Sequence, residues 1–416
     1  MRTLTETVGL RGDAHRIINR ALRDALPDEA VRRALSRLSL PGRVTLIAVG
    51  KAAWSMAAAA REALGDRLAR GVVITKYDHA RAPLPGLDIF EAGHPVPDEN
   101  SFRATRAAID LVRPLAAEDT VLFLVSGGGS ALFEQPLIPP EELQDITRQL
   151  LACGADITEI NAIRKRLSAV KGGRFAELCA PARVVSVILS DVLGDRLDAI
   201  ASGPAAPDGC TRDEALAIAA KYDLKLSDAA RGCLAVETPK ALDNVENHII
   251  GSVRGLCASA AECAEALGYR PLVLTDRLCC TARDAGSFLA SMAQYHAQTR
   301  ESLAFICGGE TVVRLTGAGM GGRNQELAVA AAPGIAGLEQ TCVFSVGSDG
   351  TDGPTDAAGG YADGGTLARL RAQGISVDAV LADNDAYHAL QACGGLIVTG
   401  PTGTNVNDLS VLLIRR

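Results

Sequence analysis

One alternation constrains the fold more than any other feature of the chain. Short apolar runs, 44-VTLIAVG-50, 71-GVVITK-76, 121-VLFLVSG-127 and 184-VVSVILSD-191, are separated by stretches with helical spacing such as 52-AAWSMAAAAREAL-64. A run without polar alternation needs cover on both faces, and intervening helices supply it. The pattern predicts a doubly wound α/β architecture built on a parallel sheet. Strand signals resume at 248–253, 271–276, 303–309, 311–316, 341–347, 396–400 and 409–416. Between the two sets, residues 205–247 are rich in Asp and Glu, helical in pattern, and punctuated by Pro204, Pro207 and Pro239. A boundary is expected near 235–250. We set it at 240/241, giving domains 1–240 and 241–416, with the extreme C-terminus free to pack on the first domain.

The 416 residues suffice for two or three domains whose cores need neither metal nor disulfide. Eleven cysteines are irregularly spaced and form no C-x-x-C, so they read as reduced thiols of a cytosolic protein rather than a zinc site or disulfide framework. The first twenty residues lack the basic and apolar regions of a signal peptide, and no run of about 18 apolar residues marks a membrane span. The expected setting is cytoplasmic, with no membrane partner. Net charge is −7 without a basic block, so no nucleic-acid partner is expected. Any anionic ligand must then be held by local groups. The sequence leaves a homodimer open.

Function is suggested by the residues that close the apolar runs. The runs end in Gly50-Lys51, Ser126-Gly127-Gly128-Gly129-Ser130, Ser190-Asp191, Gly308-Gly309-Glu310, and Gly347-Ser348-Asp349-Gly350-Thr351-Asp352-Gly353. Open α/β sheets bind ligands beyond the carboxyl ends of their strands. Each segment alone suits an ordinary turn, but five together point to an extended polar site. The glycines at 127–129 allow close backbone approach, so Ser126–Ser130 is a candidate cradle for a carboxylate or phosphate. Lys51 is a point charge suited to phosphate. Arg164, Lys165, Arg166, Lys171 and Arg174 cluster in 161-NAIRKRLSAVKGGRFA-176. On one helix Arg164, Lys171 and Arg174 would share a face, either solvated or rimming a site. Asp191, Glu310, Asp349 and Asp352 are candidates for Mg²⁺, which needs only one or two carboxylates beside substrate phosphates. Phosphoryl transfer requires these parts: a metal, cations on the transferring group, and an acceptor base.

A second chemistry competes. The loop 317-GAGMGG-322 matches G-x-G-x-x-G and lies between an apparent strand and helix, with Asp349 standing 27 residues after Gly322. That spacing approximates a dinucleotide fingerprint, so a reductase using NAD(P)H is an alternative, with His94 or His388 as acid. Equally, Gly308, Gly309, Gly319, Gly321, Gly322, Asp349 and Gly350 would border nucleotide phosphates, with Arg323 clamping them. A small-molecule sensor is a third, non-enzymatic reading. No G-x-x-x-x-G-K-[ST] is present, which excludes a P-loop kinase.

The motifs VGKAAWSMA (49–57), VSGGGSALFEQP (125–136), NAIRKRLSAVKGGRFA (161–176), LSDVLGDRLDAIASGP (189–204), GGETVV (308–313), GGRNQELA (321–328), GSDGTDGPTDAAGG (347–360) and TGPTGTNVNDLSVLLI (399–414) occur in one order. Together they resemble the type-2 glycerate kinases, or MOFRL family, over nearly the whole chain. Some members carry the label hydroxypyruvate reductase. The resemblance implies a Rossmann-like N-terminal domain, a smaller α/β C-terminal domain, and an active site in the cleft between them. It also implies ATP:D-glycerate 2-phosphotransferase activity with Mg²⁺, releasing ADP. Lys51 and Arg323 match the family's proposed catalytic residues, and Asp191 matches an aspartate in the same cleft and is our third catalytic candidate. Ser126, Gly127, Gly128, Gly129, Ser130 and Asn324 are the expected substrate contacts.

Overall fold

The computed structural model describes residues 1–6 and 8–416. The chain forms two compact units, one of Ala30–Ile250 and one of Met1–Glu29 together with Gly251–Arg416. Residues 1–29, expected in the first domain, therefore belong with the C-terminal residues. The reason is a buried anchor. Helix Leu10–Asp24 lies against helix Val253–Ala266, and Asp13 accepts a hydrogen bond of 2.8 Å from the Tyr269 hydroxyl and pairs with Arg415 at 3.1 Å.

The Ala30–Ile250 unit is built on a sheet of β1 (Val44–Val49), β2 (Leu68–Lys76), β3 (Leu87–Ala92), β4 (Thr120–Val125), β5 (Arg183–Leu189) and β6 (Val245–Gly251), in the order β3-β2-β1-β4-β5-β6. Strands β1 to β5 pair in parallel. Their alternate residues feed two separate cores. Ile47, Val49, Phe123 and Val125 join the core that holds Phe133 and Phe175, whereas Leu46, Ala48, Leu122 and Leu124 join the one that holds Met56 and Ala57. This is why the runs carry no polar alternation. The order is that of doubly wound dinucleotide folds, which reverse direction at a switch point. Here β1 and β4 are neighbours across that point.

A third, smaller core sits apart from the sheet. It packs helices Pro140–Ala152, Ile157–Arg166, Arg212–Lys221 and Asp228–Leu234 around Ile146, Ile163 and Leu234. Three of these helices start at side chains that accept from their first turns, Asp156, Thr211 and Ser227, which satisfies otherwise orphan amides.

The other unit contains β7 (Arg270–Leu278), β8 (Leu303–Gly309), β9 (Thr341–Gly347), β10 (Gly359–Asp363), β11 (Leu396–Ile397) and β12 (Asp408–Ile414), in the order β11-β10-β9-β12-β8-β7. Only β7 and β8 pair in parallel; β12 runs antiparallel between β8 and β9. The C-terminal strand is thus a central member of this sheet, not a segment packed on the first domain. Its seven residues are all buried, which accounts for the apolar run Val411–Ile414. Residues 311–316, expected as a strand, form a loop with one bridge from Val312 to Thr281.

Candidate active site

The switch point organises the polar cluster of the Ala30–Ile250 unit. After β1 the backbone turns through Gly50, whose φ of +115° suits glycine. The Lys51 amide donates to the Gly127 carbonyl at 2.8 Å, tying the end of β1 to the end of β4. The Ser126 hydroxyl accepts from the Ala52 amide at 3.1 Å and donates to the Val49 carbonyl at 3.3 Å. Ser126 is buried and spent on this tie, so its side chain does not serve as the expected substrate contact. Gly127 and Gly128 make room for neighbours. A Cβ on Gly127 would lie 2.2 Å from Asp191 Oδ2, and one on Gly128 would lie 3.0 Å from His94 Cδ2 and 3.3 Å from Lys51 Cγ. The turn therefore brings Lys51, Asp191 and His94 together around a bare backbone. Among the described residues, no carboxylate pairs with the Lys51 ammonium. Burial and the nearby Lys51, Lys76 and His79 hold the His94 imidazole below its ordinary value, so it is neutral at neutral pH.

Gly129 and Ser130 open a four-residue helical turn, Gly129–Leu132. A Cβ on Gly129 would meet Ala201 at 2.7 Å. The Ser130 and Ser202 hydroxyls are 2.9 Å apart. Ala201 and Ser202 have φ of 51° and 62°, an arrangement that non-glycine residues adopt at a cost.

The basic segment is not one helix. Helix Ile157–Arg166 ends, and Arg174 begins the next at Arg174–Cys179. Arg174 turns back, donating 2.6 Å to the Ser168 carbonyl and 3.1 Å to that of Arg166, and so caps the first helix. Lys165 pairs with Asp208 at 3.0 Å, Arg166 with Glu237 at 2.8 Å, and Lys171 with Glu134 at 2.7 Å. These three cations are buried structural pins. Arg164 differs. It donates to the Ser130 carbonyl at a long 3.5 Å, and its Nε is buried without a hydrogen bond. It lines a cavity of about 1000 Å³ with His94, Gly128, Ser130, Asn161 and Asp191.

The polar cluster of the other unit has a different character. Arg323 opens helix Arg323–Ala331 and makes a two-pronged pair with Asp408, its Nε at 2.5 Å and one terminal nitrogen at 3.0 Å. The remaining terminal nitrogen is 3.2 Å from Glu310. Burial opposes the Arg323 charge, but Asp408 and Glu310 outweigh it, so the guanidinium holds its proton more tightly than usual. Asp408 went unnoticed in the sequence. It lies 85 residues from Arg323 and begins a strand of ordinary appearance; its motif, TGPTGTNVNDLSVLLI, is the one local signal.

Asp352 and Asn324 are occupied by the fold. The Asp352 carboxylate accepts from the Asn324 and Gln325 amides at 3.2 and 2.9 Å, and from the Gln325 side chain at 3.0 Å. It thereby caps the Arg323 helix from a distance. Burial pushes its carboxyl up to about 6, against those donors. The Asn324 amide oxygen accepts from Ser345 at 2.5 Å, and the residue is buried. Neither side chain is left for the expected metal or substrate contact. Asp349 accepts from the Thr351 amide at 3.0 Å. Among the described residues, no three of His, Cys, Asp and Glu are grouped to hold a metal ion. Glu310 remains half-exposed. A metal that arrives on a triphosphate, needing one or two protein carboxylates, still fits Asp191 or Glu310.

The glycine-rich loop is full. The Gly317 amide donates to Asn384 Oδ1 at 3.0 Å, Ala318 to Asp383 Oδ1 at 3.0 Å, Gly319 to the Asp383 carbonyl at 2.8 Å, and Met320 to Asp385 Oδ1 at 3.0 Å. A Cβ on Gly319 would meet Asp385 at 2.5 Å; on Gly321, the Ala386 nitrogen at 3.2 Å; on Gly322, Asp352 at 2.3 Å. Gly308 and Gly309 give room to Cys257 and to the Leu278 backbone, and Gly350 to the Gly400 carbonyl. These glycines close the fold. The protein already occupies the nest in which dinucleotide or nucleotide phosphates were expected.

Comparison with known proteins matches two segments of the chain, the first of which includes residues 13–29 that the structure groups with the C-terminal unit. A family model described as a domain of unknown function (DUF4147) matches residues 13–235, and that of the MOFRL family matches residues 303–408. The chain is 51% identical to a D-glycerate 2-kinase of Thermotoga maritima, over 96% of this chain and 97% of that one. It belongs to the type-2 glycerate kinase (MOFRL) family. Another member, from Agrobacterium vitis, is 40% identical over 90% of this chain and all of its own, and is called a putative hydroxypyruvate reductase. A crystal structure of glycerate kinase from T. maritima superposes with a TM-score of 0.95 at 50% identity, covering 98% of this chain and 99% of that one. The two-domain α/β organisation of the family is thus the organisation found here. No helix among the described residues is long and apolar enough to cross a membrane.

Proposed function

We propose that the chain transfers the γ-phosphoryl group of ATP to the 2-hydroxyl of D-glycerate, giving 2-phosphoglycerate and ADP. The observation that carries this is the near full-length identity to a D-glycerate 2-kinase, joined to an unpaired Lys51 at the switch point. Transfer of a phosphoryl group needs positive charge and positioning more than covalent help. Lys51 supplies the charge, since its ammonium has no competing carboxylate among the described residues. Arg323 supplies a second cation, held rigid by Asp408. Asp191, lodged over the bare Gly127, orients or deprotonates the 2-hydroxyl. Gly128, Gly129 and Ser130 hold the acid's carboxylate with backbone amides and the Ser130 hydroxyl. Bound Mg²⁺ neutralises charge on the phosphates, with Asp191 or Glu310 as the protein's contribution.

The reductase alternative loses its main support, because the loop that resembled its fingerprint has its amides engaged by Asp383, Asn384 and Asp385. The test is a coupled ADP-release assay beside an NADH absorbance assay, each with D-glycerate and with hydroxypyruvate. ADP released only with D-glycerate and no NADH oxidation is the expected outcome. NADH consumed with hydroxypyruvate, and no ADP, would overturn the kinase assignment.

A further inference from the structure

On the phosphoryl-transfer reading, we propose that the adenine nucleotide is bound in the cavity of the Ala30–Ile250 unit, with its base against Ile157, Leu193 and Ile218 and its phosphates toward Arg164. Size is the first argument. The cavity measures about 1000 Å³, at the upper end of ordinary ligand sites, and a three-carbon acid would leave most of it empty. Its lining is also divided. Gly128, Ser130 and Asp191 at the strand ends and Arg164 on the helix form one part, Ile157, Val192, Leu193, Ala217 and Ile218 give an apolar stretch, and Glu159, Asp198, Asp208 and Glu214 border it with charge. Glycerate has no use for that apolar stretch. A purine has a flat apolar face that does.

Helix Ile157–Arg166 links the two parts. Ile157, Asn161 and Arg164 succeed one another at four- and three-residue steps and all line the cavity, so they form one stripe. Ile157 and Arg164 are two turns apart, about 10 Å along the axis at 1.5 Å per residue. A nucleotide spans a similar reach from its base across the ribose to its phosphates. Neither end of the stripe is satisfied by the protein. Ile157 is 68% exposed and lines the cavity, so it offers an apolar face that the protein itself does not cover. Arg164 pairs with no carboxylate among the described residues and its Nε is buried without a hydrogen bond; Arg166 shares the orphaned Nε, but both it and Lys165 are held by carboxylates. An apolar face and an anion, joined at this spacing, describe a nucleotide. The loop at 317–320, where phosphates were first expected, is closed by the protein itself.

Two exposed positions test the site without threatening the fold. Ala217→Trp places an indole on the apolar wall, and Ile157→Asp replaces that wall with a charge. For each variant and the parent, ADP affinity is measured by calorimetric titration with Mg²⁺, and KM is measured separately for ATP and D-glycerate. Both variants are expected to weaken ADP binding and raise the KM for ATP by about tenfold or more, with the KM for D-glycerate within about twofold of the parent's. Unchanged ADP affinity in both variants overturns the site. So does a rise confined to the KM for D-glycerate, or a parent protein that binds no ADP. The two assignments fail separately. A parent that binds ADP but phosphorylates no glycerate, with both variants impaired in binding, removes the reaction and keeps the site. A parent that turns over normally, with variants that bind ADP as it does, removes the site and keeps the reaction.

Discussion

The strand ends of the two units are built from similar residues and treat charge in opposite ways. At the end of β1 and β4, Lys51 and Asp191 stand around a turn of bare glycines, and Arg164 reaches the neighbouring cavity with its Nε unsatisfied. At the ends of β8 and β9, glycines are packed against protein, amides are capped by Asp352, Asp383 and Asn384, and Arg323 is clasped by Asp408 and Glu310. The first region leaves the Lys51 and Arg164 cations without a carboxylate partner among the described residues. The second spends charge on rigidity and presents one oriented guanidinium. Topology accounts for part of this. A parallel sheet delivers its loops to one end and exposes a switch point. In the mixed sheet the antiparallel β12 carries Asp408 back to the same end as Gly309 and Gly347.

The contrast can be tested, beginning with the largest effect. Lys171 and Glu134 form a fully buried pair, and neutralising one partner strands the other. Lys171→Met should cost about 3–5 kcal/mol of stability, read by chemical denaturation; a loss below about 1 kcal/mol would show that the pair is not a structural pin. Next come the two proposed catalytic cations. Lys51→Ala should lower kcat by about 10²-fold and leave stability unchanged, because no carboxylate is abandoned. Arg323→Ala should lower kcat and also cost about 2 kcal/mol of stability, because Asp408 loses its partner in a largely buried site. Equal thermal midpoints for the two variants would erase this distinction. A smaller change is expected at the glycine loop. Gly319→Ala crowds Asp385 and should cost about 1–2 kcal/mol while ADP affinity stays as in the parent. A selective loss of ADP binding would reinstate the loop as a phosphate cradle.

The smallest effect concerns His94. Burial and the surrounding Lys51, Lys76 and His79 lower its folded value beneath 6.5. Between that lowered value and 6.5 the unfolded chain binds a proton that the folded chain does not, so stability falls as pH is lowered through this window. His94→Gln should flatten that part of the profile, as measured by thermal midpoints between about pH 7 and 5. Parallel profiles would place the acid sensitivity elsewhere.

The sequence displayed the first region more openly than the second, for physical reasons. Runs such as VTLIAV and VLFLV announce buried parallel strands by composition alone, and the glycines and Lys51 come directly after them in the chain. Arg164, Lys165 and Arg166 look alike as letters. Their fates diverge because Asp208 and Glu237, some forty and seventy residues away, claim two of them. Asp408 could not be read locally for the same reason, and the G-x-G-x-x-G match misled because its amides meet Asp383, Asn384 and Asp385, about 65 residues further on. Short-range pattern reports strands and turns well. It says little about which distant side chain fills a turn.

The anchoring of Asp13 by Tyr269 and Arg415 has a consequence for biogenesis. Helix Leu10–Asp24 is made before helix Val253–Ala266, Tyr269 and Arg415, the partners against which it docks. The intervening Ala30–Ile250 unit, with its whole sheet, is made in between. The opening helix must meanwhile wait with its apolar face uncovered, a vulnerable interval in which a chaperone would find its natural target.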